Sequence, residues 1–311
     1  MHINDKQVQQ TNDDVTSAKL SCVSAGYYDD EFVHLFCSQN PPKRRNPIIN
    51  LGHYIRVMTI RRVIEVFLNR FGEEVQIVSL GAGFDTNAFW ILKSFAHVKI
   101  FELDFPNVIY RKLKIIEREW RGALSFMAND QPFSSEEESW SNGKLSLISC
   151  DLRLSVDEEI GKKLHACGFN KNKPTLVLSE CCLIYLDYVV SEGLLTFFST
   201  LGSRVVFGVY EQVNGQDRFG KMMLDNLHER GCPLLSILST PEAVTDRFYR
   251  CGFGHVRVEL MSHFSNFIKT KRVEMIDEVE EFSLFQNHYF LGIACNFDFD
   301  LAEIFTRNDN A

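Results

Sequence analysis

The sequence predicts an α/β fold in which a mostly parallel sheet of seven strands carries helices on both faces, and three observations lead there. Short β-branched runs alternate with segments of helical spacing along most of the chain, an order that gives crossover units and a sheet buried on both sides. The run Val75-Gln76-Ile77-Val78-Ser79-Leu80 feeds two glycines one residue apart, Gly81 and Gly83, then Asp85-Thr86 and an apolar segment over 87–92. This reads as strand, tight turn and helix, with Asp85 or Thr86 as the cap. About 20 residues later, Val98-Lys99-Ile100-Phe101-Glu102-Leu103-Asp104 forms a second strand that ends on carboxylates.

The remaining elements follow in chain order. Residues 1–17 are polar and expected to be a flexible, frayed terminus. Residues 18–311 are expected to form one domain, with a helical lid over 18–71 and the α/β core over 72–311. Within the lid the apolar pattern thickens over 18–36, and Pro41, Pro42 and Pro47 forbid a continuous helix through the basic stretch Lys43-Arg44-Arg45. Ile55, Ile60, Val63, Ile64, Phe67 and Leu68 then recur at helical spacing, so 50–71 is a helix that Gly72 stops. After the second strand, Asp104-Phe105-Pro106 looks like a cap with proline in the first turn of a helix over 107–120. A solvated loop with Glu136, Glu137 and Glu138 covers 131–143. The third strand is 144–150, followed by Asp151-Leu152-Arg153 and a helix near 156–167. The fourth, 175–179, is entered through Pro174 and leads into Glu180. The fifth, 204–210, runs into Glu211-Gln212-Val213-Asn214. Thr240 caps a helix to Cys251, and the sixth and seventh strands, 255–260 and 289–296, flank a helix around 272–285.

Composition narrows the function. The 311 residues are 45% apolar and 24% charged, an ordinary globular composition. A net charge of −8 lacks the basic field of a nonspecific nucleic-acid binder. No apolar run reaches membrane-spanning length. Nine cysteines without a Cys-x-x-Cys pair, and no secretory leader, read as reduced thiols of a cytoplasmic or nuclear protein, with no metal site expected.

In such a sheet a ligand sits beyond the carboxyl ends of the strands, and here those ends carry Gly81 and Gly83, Glu102 and Asp104, Asp151, and Glu180. The glycine turn lacks the third glycine of the dinucleotide fingerprint, because Asn87 stands there, and lacks the Gly-Lys-Ser/Thr of a phosphate loop. A glycine turn with an acidic second strand and no phosphate grip suits S-adenosylmethionine, which has a ribose and no phosphate. Asp151 and Glu180 are open to a second account, as acids at helix starts. No Ser/His/Asp or Cys/His constellation is visible.

These residues carry a family resemblance. Lys19 with Ser24-Ala25-Gly26-Tyr27, the stretch from Arg44 to Val57 with Pro47, Ile48, Asn50 and Arg56, and Leu80-Gly-Ala-Gly-Phe-Asp-Thr86 are its first part. Phe101-Glu-Leu-Asp-Phe-Pro106, Asp151-Leu152-Arg153 and Ser179-Glu180-Cys181-Cys182 with Tyr185 continue it. Tyr210-Glu-Gln-Val-Asn214 followed by Asp217-Arg-Phe-Gly220 is the most specific part, and Val279-Glu-Glu-Phe282 with His288-Tyr289 is looser. The chain resembles the leucine carboxyl methyltransferases, which methylate the C-terminal leucine carboxylate of type 2A protein phosphatase catalytic subunits and so regulate holoenzyme assembly.

The resemblance implies a Rossmann-like class I S-adenosylmethionine-dependent methyltransferase, with the phosphatase catalytic subunit as partner through its tail and its active-site face. It implies that Lys19 and Arg56 hold the cofactor carboxylate, Gly81 and Gly83 give backbone approach, and Asp104 with Glu102 takes the ribose. Asp151 and Leu152 would meet the adenine edge, and Glu180 would face the amino-acid end. Tyr185, Tyr210, Glu211 and Arg218 are the implied substrate-pocket residues. From charge alone Lys19 reads as a surface cation and Arg56 as a core-edge ion pair, and either tyrosine as core packing. Leu51 and His53 depart from the family's usual Arg-Gly-Tyr, and the C-terminal third is the least similar part. Two alternatives stand beside this: methylation of a small carboxylic acid, and a non-catalytic cofactor-binding partner of a phosphatase.

Overall fold

A computed structural model describes residues 5–37, 43–72, 74–95, 97–127, 139–265, 268 and 273–306. The chain opens with α1 (Asp5–Ser24), α2 (Val33–Phe36) and α3 (Pro47–Phe71), then enters β1 (Val75–Leu80), α4 (Asn87–Ser94), β2 (Val98–Asp104) and α5 (Pro106–Glu119). A short strand β3 (Ser139–Ser141) precedes β4 (Leu145–Ser149), α6 (Lys162–Ala166), β5 (Thr175–Glu180), α7 (Tyr188–Leu201), β6 (Val205–Gln212) and α8 (Arg218–Glu229). The last third holds α9 (Pro241–Arg250), β7 (His255–Leu260), α10 (Met261–Ser265), α11 (Val279–Gln286), β8 (Tyr289–Cys295) and α12 (Ala302–Phe305).

The strands form one sheet in the order β3-β4-β2-β1-β5-β6-β8-β7. β4, β2, β1, β5 and β6 run parallel, while β8 is antiparallel to both β6 and β7, and β3 is antiparallel to β4. Eight strands therefore replace the expected seven. The addition is β3, whose three residues lie in the stretch expected to be a loop and pair Trp140 with Leu147. Glu136 to Glu138, Pro41, Pro42 and Arg272 lie outside the described residues.

The central strands are buried on both faces, which is why they read as continuous apolar runs rather than alternating ones. Ile77, Ile100 and Leu176 pack on one side among α3, α4 and α5, while Val78, Phe101 and Val177 pack on the other against α6, α7 and α9. Caps set the helix ends. Asn46 accepts from Ile48 N at 2.9 Å to start α3, and Gly72, at φ +65°, returns its N–H to Leu68 O. Asp217 accepts from Gly220 N at 2.7 Å and Thr240 from Ala243 N at 3.2 Å.

Three expectations are corrected. Helix α1 begins at Asp5, so described residues in the stretch expected to fray are helical, with Thr16 and Ser17 buried. Thr86 precedes α4 without capping it and donates instead to Asp30 Oδ2 at 2.6 Å. Asp104 does not cap α5 either, because its carboxylate is spent on the neighbouring glycine turn.

Candidate active site

The strand order reverses where β1 lies between β2 and β5, and this is the switch point at which open α/β sheets bind ligands. A cavity of about 310 Å³ opens there, at the low end of the ~300–1,000 Å³ usual for small-molecule sites. Its floor is the ends of β1, β2 and β5 with the loop after β4. Its cover is α1, which contributes Asp5, Asn12 and Lys19 among others.

The floor is built on the glycine turn. Gly81 (φ +62°) and Gly83 (φ +51°) adopt left-handed backbone, which L side chains rarely do. Gly81 N donates to Leu103 O at 2.8 Å, tying the turn to β2. The space a Cβ would need at Gly81 is filled by Cys182, and at Gly83 by Asn12, so what these glycines admit is neighbouring side chains. We expect Gly81→Ala to cost about 1–3 kcal/mol of stability from backbone strain, and to weaken cofactor binding as the turn shifts. Urea unfolding beside calorimetric titration would measure both. A variant matching wild type in each would remove the turn's role.

Asp104 sits at the rim. Its Oδ2 accepts from Gly83 N and its Oδ1 from Phe105 N, each at 2.7 Å. Burial pushes its pKa up to about 6, and those two amides and Lys112 offset part of the rise. Glu102, the other expected ribose ligand, is absent from the cavity wall. It lies deeper under α5, where its Oε2 is 2.6 Å from Lys112 Nζ, with neither side chain more than 2% exposed. The cue was in the sequence: Lys112 falls at a core position of the pattern Val108, Ile109, Leu113, Ile116, and a lysine there demands a buried acid.

Two buried cations line the cavity. Lys19 Nζ pairs with Asp85 Oδ1 at 2.6 Å, and Arg56 Nε pairs with Glu180 Oε1. Burial alone would lower the Lys19 ammonium, but Asp85 and Glu180 outweigh it and leave its pKa raised. Arg56 also lies over the Tyr210 ring, 4.8 Å from its centre. Asp151 accepts from Arg153, whose Nη1 also reaches Asp5 Oδ1 at 2.7 Å, so α1 is clasped to the loop after β4. Leu152 is buried in the wall beside it.

Of the expected substrate-pocket residues, only Tyr185 lines the cavity. Tyr210 is buried behind Arg56 and stacks on Tyr289 with ring centres 5.5 Å apart. Glu211 points to the turn at 183–185, where its Oε1 accepts from Ile184 N at 2.9 Å, and burial pushes its pKa up to about 7. Arg218 is exposed at the first position of α8. The wall also contains Asn12, His53, Gln212 and Tyr289, which the sequence reading did not assign to a pocket. Among the described residues no three His, Cys, Asp or Glu side chains are grouped to hold a metal ion, and no helix is long and apolar enough to cross a membrane.

Comparison with known proteins gives a consistent result. A family model described as leucine carboxyl methyltransferase matches residues 8–199. The chain is 35% identical over 303 residues to the leucine carboxyl methyltransferase 1 homolog of Arabidopsis thaliana, covering 93% of this chain and 89% of that protein. It is 33% identical over 302 residues to leucine carboxyl methyltransferase 1 of Caenorhabditis elegans, covering 92% and 90%. Among solved structures, a putative methyltransferase from Thermobifida fusca shares the fold with a TM-score of 0.53 at 13% identity, covering 89% and 93% of the two chains.

Proposed function

The chain belongs to the leucine carboxyl methyltransferase family, S-adenosylmethionine-dependent enzymes that methylate a carboxyl group, and from that premise we propose that its acceptor is the C-terminal leucine carboxylate of a type 2A protein phosphatase catalytic subunit. The observation that carries this reading is one cavity holding a carboxylate at the end of β2 and two buried cations opposite the glycine turn.

The residues fit the cofactor. Asp104 is held as an acceptor by two amides, and a carboxylate's remaining lone pairs suit a ribose diol. Asn12 Nδ2 is a buried donor with no partner among the described residues, next to the glycine turn. All lining the same cavity, Asp151 and Leu152 would border the adenine, Lys19 and Arg56 would hold the methionine carboxylate, and Glu180 would meet its ammonium. Bound there, the cofactor supplies an electrophilic sulfonium methyl.

The acceptor needs no base, because a terminal carboxylate is already ionised at neutral pH. Transfer of that methyl to one carboxylate oxygen would form a C–O bond as the C–S bond breaks, with the electron pair left on sulfur. No proton moves. The chain's contribution is therefore to align and desolvate that oxygen. Tyr185, in the cavity wall, would border the leucine side chain. A flexible tail alone offers few contacts and loses entropy on ordering, so docking on the body of the phosphatase completes recognition.

The test is methyl transfer from labelled S-adenosylmethionine to purified phosphatase catalytic subunit, beside the same subunit lacking its terminal leucine. Base-labile label on the intact subunit alone is expected. Label on both proteins, or on neither, overturns the proposal.

A further inference from the structure

We propose that His53 is the donor that receives the acceptor's terminal carboxylate, and so selects a free carboxylate over its amide or ester; this rests on the carboxyl-acceptor reading above. His53 lies on α3 one turn before Arg56, and both line the cavity. Neither of its ring nitrogens makes a hydrogen bond to a described residue, and Nδ1 is sealed from the surface without a partner. The nitrogen left to meet a ligand is therefore Nε2. Of the two ring nitrogens Nδ1 is the buried orphan, while Nε2, unpaired among the described residues and not sealed, belongs to a side chain that lines the cavity and is free to meet a ligand there.

The neighbouring groups are already committed. Arg56 is held by Glu180 and the Tyr210 ring, and Lys19 by Asp85. If those two cations take the cofactor's carboxylate, His53 is an uncommitted donor left beside them for a second one. Burial, with Arg56, Lys19 and Arg45 nearby, pushes the imidazole pKa down to about 3, so the ring is neutral. A neutral N–H orients a carboxylate oxygen while withdrawing less of its electron density than a guanidinium would, which preserves its nucleophilicity. A carboxylate accepts that N–H as a charged acceptor. An amide or ester offers only a neutral carbonyl, about half as strong a partner.

Three variants decide it: His53→Ala, His53→Phe, which keeps a ring and removes the donor, and His53→Gln, which keeps an N–H. Each is assayed for acceptor KM, for kcat with the phosphatase catalytic subunit, and for the Kd of S-adenosylhomocysteine by calorimetry. Losing one hydrogen bond to a charged group predicts an acceptor KM raised about tenfold or more in the Ala and Phe variants, partial recovery in Gln, and a homocysteine-product Kd within about threefold of wild type. If the Ala variant does not fold, the Phe and Gln pair carries the comparison. A product Kd that rises as much as the acceptor KM means the ring holds the cofactor and overturns the proposal. Unmoved values in all three variants overturn it as well. A wild-type enzyme that labels no phosphatase removes the acceptor reading and this inference together, whereas active wild type with unmoved variants removes only His53.

Discussion

Asp104→Ala is expected to weaken S-adenosylhomocysteine binding by about 100-fold or more, read by titration calorimetry. Two hydrogen bonds to a charged acceptor, at about 1.5–3 kcal/mol each, set that scale. The loss has a second source, since Gly83 N and Phe105 N both give their hydrogens to this carboxylate and the turn loses its brace with it. The pH dependence separates the two. In the free protein the carboxyl titrates near pH 6, raised by burial. In the proposed ribose contact the hydroxyls would donate to the ionised form, so binding would favour deprotonation. Affinity is then flat above about pH 6 and falls below it, by up to tenfold per unit, as Asp104 takes a proton. Asp104→Asn should bind weakly and lose that slope. An alanine variant binding within threefold of wild type would remove Asp104 from the ribose site.

What the sequence disclosed about this site follows from where the information is local. Each central strand is a short β-branched run because both its faces are buried, and the residue just past its end falls at the rim by geometry alone. Gly81, Asp104, Asp151 and Glu180 can therefore be placed on one cavity from the sequence alone. Helix α1 could not. Its first twelve residues, Asp5 to Thr16, are mostly polar, with no apolar stripe to announce a helix, and what fixes them is distant. Asp5 meets Arg153, Asn12 Oδ1 accepts from Phe84 N at 2.7 Å, and Asp13 pairs with Arg111 at 2.7 Å. Each partner is 70 or more positions away, where no local pattern reaches.

Choosing between side chains on the same strand was the other difficulty. Glu102 and Asp104 project from the same face of β2, two positions apart, and a strand-end rule treats them alike. Depth separates them, and depth is set by α5 packing Lys112 over Glu102. The family's motif residues divide in the same way. Tyr210 and Glu211 belong to the most specific motif in the chain, yet they act behind the wall, one stacked beneath Arg56 and one bracing the turn that carries Tyr185. Motif membership marks a residue as constrained, and only the packing says whether it touches the ligand.

Lys112→Met is expected to destabilise the protein by about 3–5 kcal/mol, because it leaves the Glu102 carboxylate buried without its counter-charge. Lys112 is fully buried, 2.6 Å from Glu102 Oε2 and 2.9 Å from Asp85 O. Even with this partner, burial pushes Glu102 up to about 7. A carboxyl whose pKa is raised by folding favours the folded state only when protonated. Its penalty is therefore full above the folded pKa and is relieved as pH falls from there toward the unfolded value near 4.5. Removing Lys112 raises the folded pKa further, so the urea-unfolding deficit of the variant should be largest at pH 8 and shrink steadily toward pH 6. Pairing it with Glu102→Gln should restore most of the lost stability, since the charge itself is then gone. The double variant should still bind cofactor less well than wild type. Lys112 anchors the carbonyl of Asp85, and Asp85 is the partner that holds Lys19 in the cavity. A single variant within 1 kcal/mol of wild type, or a deficit that grows as the pH falls, would contradict a charged pair under α5. A double variant with wild-type cofactor affinity would show that the pair supports the fold without steering the site.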